Sequence, residues 1–413
     1  MTKQTTLFEK SSNGCRLING NCLLVMPTMA ADSVHSIVTD PPYGLSFMGK
    51  DWDHGIPGVA FWTEALRVAK PGAMLLAFGG TRTFHRLAVA IEDAGWDIRD
   101  TIMWVYGSGF PKSLDVSKAI DKAAGADREI VGENPCARPN HDGKTVWIGD
   151  KTGKEQSHPP ITAPATDAAK QWDGWGTALK PAYEPIIMAR KPLIGTVAEN
   201  VLAHGTGAIN VNACRIAFAS ESDKASAFPG GKLTSHGSGS LAGPGSAQEA
   251  CRSGFAAEQS RQGRWPANLI HDGSEEVVEL FPQTTSGTQC EGGHVRNADK
   301  QRAVYGAFEG QKLEGDVLYG DTGSAARFFY CAKADSADRR QSKHPTVKPL
   351  DMMRYLVRMV TPAGGTVLDP FMGSGTTMEA ARLEHCYGIG IDLSAEYVGD
   401  ALDRLRQGTM TFE

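Results

Sequence analysis

The tetrapeptide Asp40-Pro41-Pro42-Tyr43 follows a short β-branched run, Val34 to Thr39. Two consecutive prolines stop a strand and stiffen the turn that follows. A carboxylate at Asp40 and the carbonyl of Pro41, aimed outward by that turn, offer two acceptors side by side. Such a pair suits an exocyclic amino group, whose lone pair is delocalised into its ring. Acceptors on both N–H bonds let the nitrogen rehybridise and attack. Tyr43 adds a flat face on which a base turned out of a duplex can stack. Taken alone, the four residues also fit an ordinary Asp-Pro strand ending.

Three further motifs lie near the other end. Asp369-Pro370-Phe371-Met372-Gly373-Ser374-Gly375-Thr376-Thr377 reads as a strand end, a tight glycine turn and a helix start. Glycines let backbone approach a ligand closely, and a helix N-terminus favours a carboxylate or another anion. The loop has neither the Lys-Ser/Thr pair of a phosphate-binding P-loop nor the GxGxxG spacing of a dinucleotide fingerprint. Gly388-Ile389-Gly390-Ile391-Asp392 is a second strand ending in an acid about 20 residues after the glycine turn, where a nucleotide fold places its ribose-binding carboxylate. A strand-end acid that caps the next helix fits Asp392 equally well. His344-Pro345-Thr346-Val347-Lys348-Pro349 is rigid and cationic; by itself it reads as a proline-rich linker.

The elements that must hold these residues alternate. After the Val34–Thr39 strand, residues 61 to 70 show helical apolar spacing broken by Pro71-Gly72. Residues 73 to 78 form a continuous apolar run ending at Gly79-Gly80, as in a strand buried on both faces. A helix over 81–94 and a strand over 98–106 follow. Strand and helix in alternation predict a parallel sheet covered on both faces. From about 112 to 340 the chain is irregular, with glycine, serine and alanine dominating 220–263. Within it, residues 180–191 resemble a strand returning to the first sheet. Order resumes with a helix over 350–360, a strand over 366–369, a helix over 376–384, a strand over 387–391 and a helix over 394–407 with Ser394 as its N-cap.

The 413 residues hold 41% hydrophobic and 22% charged residues, enough for a full α/β core and a smaller module. No apolar run is long enough to span a bilayer, and MTKQTTLFEKSSNGC has no apolar core of a secretion signal, so a cytoplasmic protein is expected. The eight cysteines are scattered without a CxxC pair, and there is no HExxH, so no metal is expected. A net charge of −5 neither implies nor excludes nucleic acid. A local excess of cations between Arg327 and Arg354 is the one basic patch, and a solvated face explains such a run as readily.

Together, DPPY, HPTVKP, DPFMGSGTT and GIGID, in that order along the chain, resemble the amino-group DNA methyltransferases of the permuted β class, in prokaryotes and phages. The resemblance covers about 15–110, 176–195 and 340–413. It implies a Rossmann-like α/β fold with a mostly parallel seven-stranded sheet, and S-adenosylmethionine as cofactor. It divides the chain into a catalytic half of the core (15–111), an irregular insertion (112–175), a return strand (176–195), a loop-rich target-recognition region (196–340) and a cofactor-binding half (341–413). By the same resemblance Asp40, Pro41, Pro42 and Tyr43 form the catalytic loop. Asp369, Phe371, Gly373, Ser374, Gly375 and Thr376 line the cofactor pocket, with Asp392 on the ribose and Thr346 and Lys348 closing the other side. Asn21 stands where members usually carry Asp, and its amide serves as the acceptor there.

The implied reaction is methylation of adenine N6 in double-stranded DNA. Cytosine N4 is the alternative, although the N4 enzymes more often open the motif with Ser than with Asp. A methyltransferase acting on a protein glutamine would carry Asn at position 40. A catalytically silent DNA-binding regulator would not need Asp40 and the glycine loop intact. DNA contacts are expected from Arg339, Arg340 and Lys343 through phosphates, and from Arg264 and Trp265 in a groove. A homodimer is expected by analogy with other members.

Overall fold

The computed structural model describes residues 8–44, 55–109, 111, 113–132, 160–220, 223, 263–285, 322–332, 338 and 347–407. Among them the strands are β1 (Phe8–Ser12), β2 (Cys15–Asn19), β3 (Val34–Thr39), β4 (Ala69–Phe78), β5 (Asp97–Val105), β6 (Ile130–Gly132), β7 (Ile161–Thr162), β8 (Tyr183–Arg190), β9 (Leu269–His271), β10 (Gln283–Thr285), β11 (Thr322–Ser324), β12 (Tyr330–Cys331), β13 (Thr366–Asp369) and β14 (Tyr387–Asp392). Ten of them form one sheet in the order β1-β2-β14-β13-β3-β4-β8-β5-β9-β12. Only β1 and β8 run antiparallel to their neighbours. The mostly parallel sheet expected from the sequence is present, extended to ten strands.

The central strands are buried along most of their length because both faces are covered. Ile37, Leu75, Ile187 and Leu368 point into a core closed by Trp62 and Ala65 of the helix Val59–Val68 and by Leu87 and Ile91 of the helix Phe84–Asp93. Their neighbours Val38, Met74, Leu76, Ile186, Met188 and Val367 point the other way, onto Met352, Met353 and Leu356 of the helix Leu350–Val360. Period-two alternation on four adjacent strands therefore feeds two separate cores.

The helix expected over 61–70 instead ends at Val68, and Pro71-Gly72 lies within β4. Residues 69–72 are held extended by pairing: Ala69 lies beside Val34, the Gly72 N–H donates to Lys191 O, and the buried Asn200 amide donates to Pro71 O. Gly72 takes φ +78°, open to a residue without a side chain. Residues 180–191 do form a strand of this sheet: β8 lies antiparallel between β4 and β5. The segment 196–340 also contributes to the sheet, through β9 and β12. Of the glycine-rich stretch 220–263, residues 221–222 and 224–262 lie outside the described residues.

By its internal contacts the chain forms two compact units, 1–107 with 183–413 and 108–182. The smaller unit pairs β6 with β7 and holds the helix Val116–Ala123, capped by Asp115. Its polar knot is the buried Asp121, which accepts from Arg128 at 2.7 Å and from the backbone N–H groups of Ala165 and Thr166. Those donors hold the Asp121 carboxyl down at about 2, against the opposing effect of burial. Among the described residues no helix is long and apolar enough to cross a membrane.

Candidate active site

Strand β13 leads through the helix Thr376–Leu383 to β14 on one side, while β3 leads through the helix Val59–Val68 to β4 on the other. The chain thus diverges between β13 and β3. In open α/β sheets, ligands bind in the crevice outside the carboxyl ends of the strands at such a point. The Asp40 loop leaves the end of β3 and the glycine loop leaves the end of β13. The two strands are paired, Val367 beside Ser36 and Leu368 beside Ile37. The Thr39 hydroxyl closes the seam by donating to Asp369 Oδ1 at 2.6 Å.

The glycine loop is built from the inside. Asp369, buried at the end of β13, accepts from Thr39, from Thr377 Oγ1 at 2.6 Å and from the Phe371 N–H at 3.1 Å. Burial raises its carboxyl to about 6, and the three donors only partly offset this. Gly373 and Gly375 take positive φ (+55° and +79°), and a Cβ on Gly375 would lie 2.5 Å from the Ala401 Cβ. Asp392 turns back on the loop: its Oδ2 accepts from the Gly373 N–H at 2.8 Å and its Oδ1 from the Ser394 N–H at 2.7 Å. The Ser394 hydroxyl in turn accepts from the Tyr397 N–H, as expected of an N-cap. Phe371 packs beside Phe61, ring centres 5.7 Å apart, as one wall. Ser374 and Thr376 are buried. Asn21 uses its Oδ1 to cap the helix Cys22–Val25, accepting from the Leu23 N–H at 3.0 Å.

On the other loop, Pro41 is buried while Asp40, Pro42 and Tyr43 are partly exposed. The Tyr43 hydroxyl lies 2.8 Å from Asp40 Oδ1 and 2.9 Å from Glu184 Oε2, so its one proton serves either carboxylate. The Thr83 hydroxyl donates to the Tyr43 carbonyl at 2.7 Å and fixes the loop. Lys348 is 8% exposed, its ammonium 2.7 Å from Glu184 Oε2, 3.0 Å from the Tyr43 hydroxyl and 3.3 Å from Asp40 Oδ2. It also lies 4.8 Å from the centre of the Phe78 ring. Burial pushes the Asp40 carboxyl up; Lys348 opposes this and Glu184 adds to it. Burial alone would lower the Lys348 ammonium, but Asp40 and Glu184 hold it well above its usual range. Tyr106 is raised to about 12 by burial and by Glu184.

The structure therefore brings together Asp40, Tyr43 and Lys348 on one side, and Asp369, Gly373, Gly375 and Asp392 on the other. Sequence reasoning missed Glu184, Tyr106, Thr39, Thr377 and Arg404. Arg404 donates through Nε to the Ser374 carbonyl at 3.1 Å and pairs with the buried Glu379. The isolated acid in KPAYEPIIMAR was the available signal for Glu184. Thr346, Arg339, Arg340 and Lys343 lie outside the described residues. Arg264 is engaged within the fold. Its guanidinium grips Asp223 and packs against the Phe218 and Phe328 rings, each 4.9 Å away. Beside it Trp265 is 67% exposed, with Arg215 over its ring.

A family model described as DNA methylase, of the N6/N4 type, matches residues 34–403. The chain belongs to this DNA methylase family. Among curated relatives, the type II methyltransferase M.HindIII of Haemophilus influenzae is 22% identical over 48% of this chain and 65% of its own length. M2.DpnII of Streptococcus pneumoniae is 43% identical over 15% of this chain and 24% of its own. The chain thus spans less than two thirds of either relative's length. Among solved structures, M1.HpyAVI with S-adenosylmethionine aligns at 14% identity and a TM-score of 0.36, over 94% of this chain and 99% of that one. The cytosine-N4-specific PvuII DNA methyltransferase aligns at 13% and 0.41, over 96% and 86%.

Proposed function

We propose that this methylase transfers the methyl group of S-adenosylmethionine to N6 of an adenine turned out of double-stranded DNA. The observation that carries the reading is the divergence of the chain at β13 and β3, with the Asp40 loop after one strand and the glycine loop after its paired neighbour, joined by the Thr39–Asp369 hydrogen bond. The residues present fit the cofactor. The positive-φ glycines keep the loop free of side chains, Phe371 and Phe61 supply an apolar wall, and Asp392 ends the neighbouring strand. Two carboxylates against one ammonium leave the Asp40 cluster with one excess negative charge, which complements a sulfonium cation. When bound, S-adenosylmethionine supplies an electrophilic methyl group.

The chain's own part is to hold and polarise the nucleophile. Asp40 accepts from one N–H of the amino group and the Pro41 carbonyl from the other, so the nitrogen lone pair is released from the ring as it attacks. Asp40 takes up the proton that the nitrogen loses. Positioning supplies most of the acceleration, and Tyr43 stacks on the extruded base. Adenine is favoured because the motif opens with Asp. Nucleoside mass spectrometry of unmethylated DNA incubated with the full chain and S-adenosylmethionine tests this. N6-methyladenine is expected; N4-methylcytosine replaces the target base, and an unmodified product overturns the reading.

A further inference from the structure

We infer that Glu184 is a positioning residue for Asp40: it draws the Lys348 ammonium to itself and so leaves an Asp40 carboxylate oxygen available to the amino group of the substrate. The inference rests on the methyl-transfer reading above. Its geometric basis is an asymmetry in one cluster around the buried Lys348. Lys348 stands 2.7 Å from Glu184 and 3.3 Å from Asp40. Were Glu184 absent, its 2.7 Å hold on the ammonium would be lost, and a closer ion pair with Asp40 would tie up the acceptor the reaction needs. Were Lys348 absent, two carboxylates bridged by the Tyr43 hydroxyl would repel and Asp40 would take up a proton more readily.

The sequence separations show that this arrangement is assembled by the sheet. Asp40 and Tyr43 come from the loop after β3, Glu184 from β8, and Lys348 from the segment before the helix Leu350–Val360. Tyr106, just after β5, faces Glu184, and Asp369 at the end of β13 adds a further negative charge toward Asp40. Glu184 and Lys348 therefore act on Asp40 with opposite sign. The ammonium favours its ionised form and the second carboxylate opposes it.

This opposition gives a test that a merely structural role for Glu184 would not satisfy. In Glu184→Gln the like charge is gone and Lys348 is free to close on Asp40. The acid limb of the kcat–pH profile moves down by about one pH unit, and kcat falls while KM for DNA is little changed. In Lys348→Met the acid limb moves up. Carbon-13 NMR titration of the aspartate carboxyls in the full chain, assigned with Asp40→Asn, reads the same two shifts without turnover. An acid limb and an Asp40 titration that stay put, or rise, in Glu184→Gln overturn the inference while leaving the methyl-transfer reading intact. Failure of the parent chain to methylate DNA removes the reading itself, whatever Glu184 does to the carboxyl titration.

Discussion

Arg404 ties the last helix, Ala395–Gln407, to the glycine loop, and its replacement by methionine has a calculable consequence. Its guanidinium lies 3.1 Å from Glu379 Oε2, 3.1 Å from the Ser374 carbonyl and 2.7 Å from the Asp338 carbonyl. Glu379 is fully buried and Arg404 nearly so. Arg404→Met leaves a buried carboxylate without this guanidinium, a change that costs about 3–5 kcal/mol. Against a typical stability of about 5–15 kcal/mol this is a large fraction. Replacing both partners, Glu379→Leu with Arg404→Met, removes the buried charge together with its counter-charge and restores most of that loss. It does not restore the tether on Ser374. Urea unfolding and calorimetric titration with S-adenosylmethionine on the parent and the two variants therefore separate two effects. Stability falls in the Arg404 single variant and recovers in the double, whereas cofactor affinity falls in both. An Arg404→Met protein within about 1 kcal/mol of the parent, the range of an exposed ion pair, refutes the reasoning, as does a double variant no more stable than the single.

Gly375→Ala strains a left-handed residue and drives a methyl group into Ala401, costing about 2–4 kcal/mol and weakening cofactor binding; thermal unfolding and calorimetry read both. Asp369 titrates near 6 in the folded chain against an ordinary 3.8, so the native state binds its proton more tightly than the unfolded state. Its contribution to stability consequently falls as pH rises from about 4 to 6, by about 3 kcal/mol in all. Asp369→Asn, compared with the parent by urea unfolding at pH 4 and pH 7, should remove that slope. Tyr43→Phe keeps the ring but takes the hydroxyl from between Asp40 and Glu184. Single-turnover kinetics should show a slower methyl-transfer step with cofactor affinity unchanged.

Where periodicity was long and punctuated, the elements were legible. The strands Val34–Thr39 and Thr366–Asp369 and the helix Leu350–Val360 coincide with their expected spans, because proline, glycine and aspartate mark their ends. The two- and three-residue strands β9 and β12 carry too few residues for an alternating pattern to show. The extended stretch Ala69–Gly72 was hidden for a different reason: its partners, Val34, Lys191 and Asn200, are remote in sequence. The candidate site divides in the same way. Asp40 and the glycine loop announce themselves as contiguous motifs. Glu184, 164 residues before Lys348, is visible only once β8 is seated between β4 and β5. Thr377, one residue beyond the expected Thr376, is the hydroxyl that reaches Asp369, a choice made by helix phase rather than by residue type.

The most direct test of the shared crevice is transfer of a labelled methyl group from S-adenosylmethionine to unmethylated DNA by the parent chain and by Asp40→Ala, with cofactor affinity measured on both. Transfer by the parent, background counts from the variant and equal affinity for S-adenosylmethionine are the predicted result. Equal transfer by both proteins, or loss of cofactor binding together with Asp40, contradicts the assignment of carboxylate and cofactor to opposite lips of one cleft.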